Sequence, residues 1–220
     1  MKIFNLYTRI FSRLLLVTIF ALLSLRPAIA QRAGTSPLKI GLGVSYFSHH
    51  AYGKSVPRAG ISIGLAPTIR LSRAAYLKPE VTFSMKGSRI DYNAAGLFNG
   101  NVRYQLNYLD IPIVIGLRAN HWLALEAGGY GAIKLGGSFD FEGTFAAGYG
   151  TFDRDDLHGF DYGPVAGVAL QSRLLLFNIR YYYGLRSIAA NEEAGLLLGD
   201  ATNNSIQLSI QMKRFRKRKR

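Results

Sequence analysis

From Leu38 onward, apolar and polar side chains alternate residue by residue in a series of separate runs. The last of them, Ser205-Ile206-Gln207-Leu208-Ser209-Ile210-Gln211-Met212, alternates without a fault. That period of two belongs to a strand with one greasy face and one wet face. The same pattern predicts strands over Leu38 to Ser48, Ala59 to Leu71, Tyr76 to Ile90, Val102 to Arg118, Trp122 to Ser138, Gly159 to Leu170 and Leu174 to Arg186, eight in all. In the third, Leu77, Val81, Phe83 and Met85 face outward, and Lys78, Glu80, Thr82, Ser84 and Lys86 inward. In the fourth, Leu109, Ile111, Ile113, Ile115 and Leu117 oppose Asp110, Gly116 and Arg118. Its upper part changes parity near Asn107 and Tyr108, which predicts a β-bulge there.

The connections run long, short, long, short, long, short, long; the short ones are Ser72-Arg73-Ala74, Ala119-Asn120-His121 and Gln171-Ser172-Arg173. The longest, from about Phe139 to His158, keeps alternating at both ends and predicts a projecting hairpin. An even strand number with alternating loop lengths is the pattern of an outer-membrane barrel, with long outer loops, short periplasmic turns and both termini in the periplasm. A soluble eight-stranded barrel would carry its apolar face inside; here the glycine-rich, polar face is the interior. The pattern therefore predicts an all-β fold, an eight-stranded antiparallel transmembrane β-barrel. Trp122, Tyr76 and Phe215 fall near one set of strand ends and Tyr46, Tyr104, Phe160 and Tyr183 near the other, as two aromatic girdles.

Composition adds a leader and a tail. Lys2, Arg9 and Arg13 precede an apolar run from Leu14 to Leu25 and the small-residue triplet Ala28-Ile29-Ala30. This is the layout of a signal peptide over residues 1–30, cleaved before Gln31. As a helix the run reaches only about 18 Å, against roughly 30 Å of hydrocarbon. Residues 31–37 form a short segment, 38–215 the barrel domain and 216–220 a basic periplasmic tail. Of the 27 Lys and Arg, seven lie in the last eight residues, so the formal charge of +14 is largely a property of the ends. Export removes nucleic acid as a partner of that tail and leaves a merely solvated tail ahead of anionic headgroups or a periplasmic protein. With no cysteine, the chain can have neither a lipid-anchored N-terminal Cys nor a disulfide framework.

Four segments carry a resemblance: Tyr76-Leu77-Lys78-Pro79-Glu80 running on to Met85-Lys86-Gly87, Tyr108-Leu109-Asp110-Ile111-Pro112-Ile113, Asp161-Tyr162-Gly163 with Gly167, and Arg180-Tyr181-Tyr182-Tyr183-Gly184-Leu185. In this order and spacing they resemble the PorT-like outer-membrane β-barrel family common in Bacteroidota, over most of the chain from Leu38 to Phe215. The resemblance implies a small integral outer-membrane barrel whose namesake is associated with secretion of surface proteins. Chains of this type end at or near an aromatic, here Phe215; Arg216 to Arg220 depart from that pattern.

The chemistry-bearing residues concentrate in the interior. Arg70, Lys78, Glu80, Asp110, Arg118, Glu126 and Arg180, together with Lys86, sit on inner faces of predicted strands. An eight-stranded barrel is just filled by its side chains, so these charges are expected to pair inside as structure and to leave no wide pore. His49, His50, His121 and His158 are the histidines open to a rim hydrolase, with Ser48, Asp155 or Asp156, but no nucleophile motif accompanies them. Asp140, Glu142, Asp153, Asp155 and Asp156 lack the spacing of a calcium loop. No cofactor or metal site is expected. The sequence points to a non-enzymatic structural or interaction component of the outer membrane, linked to protein secretion or envelope assembly. Its expected partners are lipid and lipopolysaccharide, the barrel-insertion machinery and envelope or secretion-system proteins. The rival readings are a narrow solute conduit or ligand-binding barrel, and a hydrolase at the outer rim.

Overall fold

The structure, a computed structural model, describes residues 35–49, 53–94, 98–143, 147–151, 157–190 and 198–213. The expected signal peptide and basic tail, with Phe215, His50, Asp153, Asp155 and Asp156, lie outside the described residues. Among the described residues there are eleven strands: β1 Thr35–Ser48, β2 Lys54–Leu65, β3 Ile69–Arg70, β4 Ala75–Pro79, β5 Val81–Ala94, β6 Phe98–Arg118, β7 Leu123–Gly143, β8 Ala147–Thr151, β9 Phe160–Gln171, β10 Leu175–Tyr182 and β11 Thr202–Lys213. Every pairing is antiparallel, and the ring runs β1, β2, β5, β6, β7, β9, β10, β11 and back to β1. Closure leaves none of these eight strands as a sheet edge, the condition a strand needs to enter hydrocarbon.

The three additional strands are parts of the eight staves. At Ala66-Pro67-Thr68 the second stave breaks, where Pro67 has no N–H to donate. It resumes as β3, paired with β4. β4 and β5 are one stave interrupted at Glu80, whose N–H still donates to the Pro112 carbonyl at 2.9 Å. β8 folds back on the far end of β7, so the longest connection does begin as a hairpin. The three short turns lie at the same end as Thr35 and Lys213, which pair with each other; we call this the terminal end and the opposite one the distal end.

The expected irregularity falls between Asn107 and Tyr108, but the change of parity in β6 is corrected. β6 keeps a single parity from Tyr104 to Gly116, with every even-numbered residue buried. The extra residue lies in β7: Asn107 pairs with Gly136 and Tyr108 with Lys134, leaving Leu135 over. Tyr104, Leu106 and Tyr108, which apolarity alone would turn outward, are inside because the distal lumen is itself apolar. For the same reason Tyr104 leaves the expected girdle, as does Tyr76 at the terminal end. Trp122 remains exposed at that end, and Phe160, Tyr162 and Tyr183 are exposed at the other.

Outward faces carry Leu38, Ile40, Leu42 and Val44 of β1, Ile111, Ile113, Ile115 and Leu117 of β6, and Ile206, Leu208, Ile210 and Met212 of β11, all exposed. A continuous apolar belt around a closed barrel is far larger than the patches soluble proteins leave in water. It matches a lipid-facing band. No described helix is long and apolar enough to cross a membrane; this chain crosses with strands.

Candidate functional site: the barrel lumen

Inward-facing residues fill the barrel in tiers. Nearest the terminal end, Tyr76, Ala124, Ala169 and Leu176 form a small apolar cluster. Above it, β1, β4, β7 and β10 bring Lys39, Lys78, Glu126 and Arg180 together with Glu80. Arg180 bridges both carboxylates: Nη1 donates to Glu80 Oε1 at 2.8 Å and Nε to Glu126 Oε2 at 2.7 Å. Lys39 Nζ reaches Glu80 Oε2 at 2.7 Å, and Lys78 Nζ reaches Glu126 Oε1 at 3.3 Å and Asn178 Oδ1 at 2.8 Å. Tyr76 also donates its hydroxyl to Glu126 Oε1 at 2.7 Å. All these side chains are buried.

A second pairing sits one tier further. Asp110 accepts from Lys86 Nζ at 2.8 Å and from Ser84 Oγ at 2.6 Å. The Lys86 ammonium lies 5.2, 5.0 and 5.7 Å from the ring centroids of Tyr108, Tyr130 and Tyr182, a cation held among three π faces. Tyr130 donates to Asp161 Oδ2 at 3.1 Å. Among the described residues the buried charged side chains are four cations, Lys39, Lys78, Lys86 and Arg180, and four carboxylates, Glu80, Asp110, Glu126 and Asp161. A formally neutral interior is what low dielectric demands of buried charge.

Distal to the charges the lumen turns apolar. Phe47, Ile90, Tyr104 and Leu106 pack with Leu157, Ile188, Leu198 and Ala201, contributed by the connections. Ile188, Leu198 and Ala201, from a connection that reads as polar in sequence, therefore supply part of a lid. His158 adjoins it, accepting from Arg186 at 3.2 Å. Its pKa is lowered, first by burial and then by Arg186 and Lys134.

Of the seven interior charges expected from sequence, Lys78, Glu80, Glu126 and Arg180 share one network and Asp110 another. Arg70 and Arg118 do not join them. Parity placed both correctly toward the axis, but they lie so near the terminal end that they line an open cavity instead. Lys39, Asn178 and Asp161 are not among the expected charges, and Tyr76 was expected in a girdle instead. Each lies at an inward parity, and the signal that could have found them is a lone polar group or buried aromatic facing surplus charge across the barrel. Among the described residues His121 lies at the terminal end and His49 and His158 at the distal end; His49 Nδ1 does lie 3.2 Å from Ser48 Oγ, one base–nucleophile pair that the sequence offered. No group of acidic residues and histidines capable of holding a metal occurs among the described residues.

Gly116 shows how closely the terminal tier is built. A Cβ there would fall within the ring of Tyr76, which lies against the bare backbone. Gly116→Ala is therefore expected to push Tyr76 off Glu126 and to cost about 1–3 kcal/mol by overpacking. Urea unfolding in a bilayer checks this, with Gly136→Ala as the neutral control, since nothing lies within 4 Å of a Cβ at Gly136.

Residues 35–190 match the model of a family described as the outer membrane protein beta-barrel domain. The chain belongs to this family. It is an integral outer-membrane β-barrel protein, as the lipid-facing belt requires. Among solved structures it is similar to Ail, the attachment invasion locus protein of Yersinia pestis, at 13% identity and a TM-score of 0.42, covering 82% of this chain and 99% of that one. It is also similar to Neisserial surface protein A, at 10% identity and a TM-score of 0.45, covering 82% and 99%. The translocator domain of the autotransporter NalP from Neisseria meningitidis matches at 10% identity and a TM-score of 0.37, covering 95% and 97%. No curated protein matches the sequence.

Proposed function

We propose that this protein is a sealed, non-enzymatic barrel that serves the outer membrane as a structural or interaction component, with both termini in the periplasm. The observation that carries this reading is the lumen: an ion network and an apolar lid occupy the axis in series. Neither a conduit nor a rim hydrolase is supported. A conduit needs a wet path past Glu80, Glu126 and Arg180, whose side chains are bonded to one another. A hydrolase needs a histidine, an acid and a nucleophile at one rim; Ser48 and His49 meet at the distal rim, but no carboxylate bonds to His49 among the described residues. Within the family, the Tyr108-Leu109-Asp110-Ile111-Pro112 segment supports a PorT-like affiliation and, through it, a role beside secretion or envelope-assembly proteins. Lipid, lipopolysaccharide and the barrel-insertion machinery are the further partners.

Three measurements test the reading. The protein is expected to fractionate with the outer membrane and to migrate anomalously on gels until boiled, because its backbone ladder closes on itself. Because the chain has no cysteine of its own, single cysteines report orientation. An impermeant maleimide should label Lys54→Cys in intact cells and leave Asn120→Cys unlabelled. Planar bilayers should show conductance near zero. Stable pore-like current from the wild type would overturn the sealed barrel, and the reverse labelling would overturn the orientation.

A further inference from the structure

The charge of this barrel is divided along its axis. All thirteen Asp and Glu lie between Glu80 and Asp200. Four of them are the lumen carboxylates, four more, Asp91, Asp140, Glu142 and Asp200, lie toward the distal end, and the remaining five fall outside the described residues. The terminal end has no carboxylate side chain in its strand ends or its three turns, and the segments before Thr35 and after Lys213 contain none either. At this end the barrel opens into a cavity of about 390 Å³. That is the scale of a small-molecule site.

Arg70, Arg73, Arg118, His121 and Lys213 line this cavity, and Lys78 lies at its inner limit. No acidic residue does. Arg118 is held in place: Nη1 donates to the Arg73 carbonyl at 3.0 Å, and the guanidinium stacks 5.3 Å from the centroid of the buried Tyr76 ring. Its remaining N–H groups are left for a ligand, since a guanidinium carries five donors. Lys78 has two acceptors, Glu126 and Asn178, for three ammonium protons. Arg70 and Arg73 form no ion pair among the described residues. The opposite wall is apolar, from Leu123, Ala124, Ala169 and Leu176, and Trp122 stands at the rim.

We propose that the terminal mouth is a phosphoryl-binding vestibule. Several convergent cations, one of them a guanidinium fixed by stacking, suit a tetrahedral oxyanion that accepts from many donors at once. The apolar wall would take the carbon part of a phosphate ester. Two sources share that chemistry: the headgroup of an anionic phospholipid, at the level Trp122 marks, and a soluble phosphorylated solute. Binding would relieve the mutual repulsion of cations that the chain itself does not neutralise. This site is separate from the sealed lumen, so its test does not depend on conductance or on orientation.

Trp122 is the chain's single tryptophan, which makes it a direct reporter. The full protein, folded into zwitterionic lipid nanodiscs, is titrated with pyrophosphate, and in parallel phosphatidylglycerol is raised stepwise in the discs. The expected result is a saturable change in Trp122 emission in at least one arm. In Arg70→Gln/Arg73→Gln the midpoint should weaken about tenfold or more, the equivalent of losing a charge-assisted hydrogen bond. Both side chains are exposed, so the double variant should fold; Lys213→Gln gives a second, independent reading in the same direction. Arg173→Gln removes an equal charge from a turn outside the cavity and should leave the midpoint unchanged. Response to pyrophosphate alone assigns a soluble ligand, and response that needs phosphatidylglycerol assigns the headgroup. The proposal is overturned by no saturable response in either arm, by an equal response to chloride at matched ionic strength, or by wild-type midpoints in both cavity variants.

Discussion

Replacing Glu126 by alanine is expected to destabilise the barrel by about 3–5 kcal/mol, the cost of removing one partner from a buried ion network. Glu126 accepts from Arg180, Lys78 and the Tyr76 hydroxyl. Its loss leaves four buried cations against three carboxylates and frees three donors. Glu126→Gln keeps an acceptor for Arg180 or Tyr76 while still leaving an uncompensated charge, so it should fall between wild type and alanine. Conductance should stay near zero in both variants, because the lid of Phe47, Leu106, Leu157 and Ile188 closes the axis independently. Unfolding in urea and planar-bilayer recording on the same preparations check this. An alanine variant that unfolds within about 1 kcal/mol of wild type would mean the charges are solvated. Ion selectivity that follows residue 126 would mean the lumen conducts.

The staves were legible because period two survives in hydrocarbon as well as in water: the outward row Ile206, Leu208, Ile210, Met212 could be read directly. What parity cannot tell is how far along the axis a residue sits. Arg70 and Glu80 face the same way, but one lies where the lumen opens and the other where it is closed. Axial position follows from the stagger between neighbouring strands, which no single strand records. Apolarity also misled at Tyr104, Leu106 and Tyr108, because a lumen can be polar at one level and apolar at another. An unbroken parity with Asp110 would have placed them inside, with the extra residue of the bulge in β7. Lys39 was hidden for a different reason: its partner Glu80 is 41 residues away and is brought across only when the ring closes.

The segments that carry the family resemblance have a physical meaning in this lumen. In Tyr76-Leu77-Lys78-Pro79-Glu80, the first, third and fifth residues are all members of the ion network or bonded to it. In Tyr108-Leu109-Asp110-Ile111-Pro112, Asp110 binds Lys86 while Tyr108 covers it. Arg180 and Tyr182 do the same from β10, at alternate positions. Each segment is thus an inward row of interacting side chains interleaved with lipid-facing ones. The pattern is recognisable because both rows are constrained, one by pairing and the other by hydrocarbon.

The outward row gives the other large effect. Leu208 is 44% exposed and lies near the middle of β11, between Leu42 of β1 and Ile179 of β10. Leu208→Arg places a guanidinium on the lipid face close to the bilayer midplane and is expected to cost about 2–4 kcal/mol. Met212→Arg, on the same face at the terminal end, should cost only about 0–1 kcal/mol, since a long side chain there reaches the headgroups. Gln207, 5% exposed, points into the lumen. Arginine there meets Arg180, with which Gln207 pairs in register, so its penalty should come from repulsion and crowding and should be relieved by a second change, Arg180→Gln. The depth dependence separates the two faces: a lipid-facing series must peak at Leu208 and fall toward Met212. Equal costs at Leu208 and Met212, measured by unfolding into urea from the same bilayer, would show that this face does not look onto hydrocarbon.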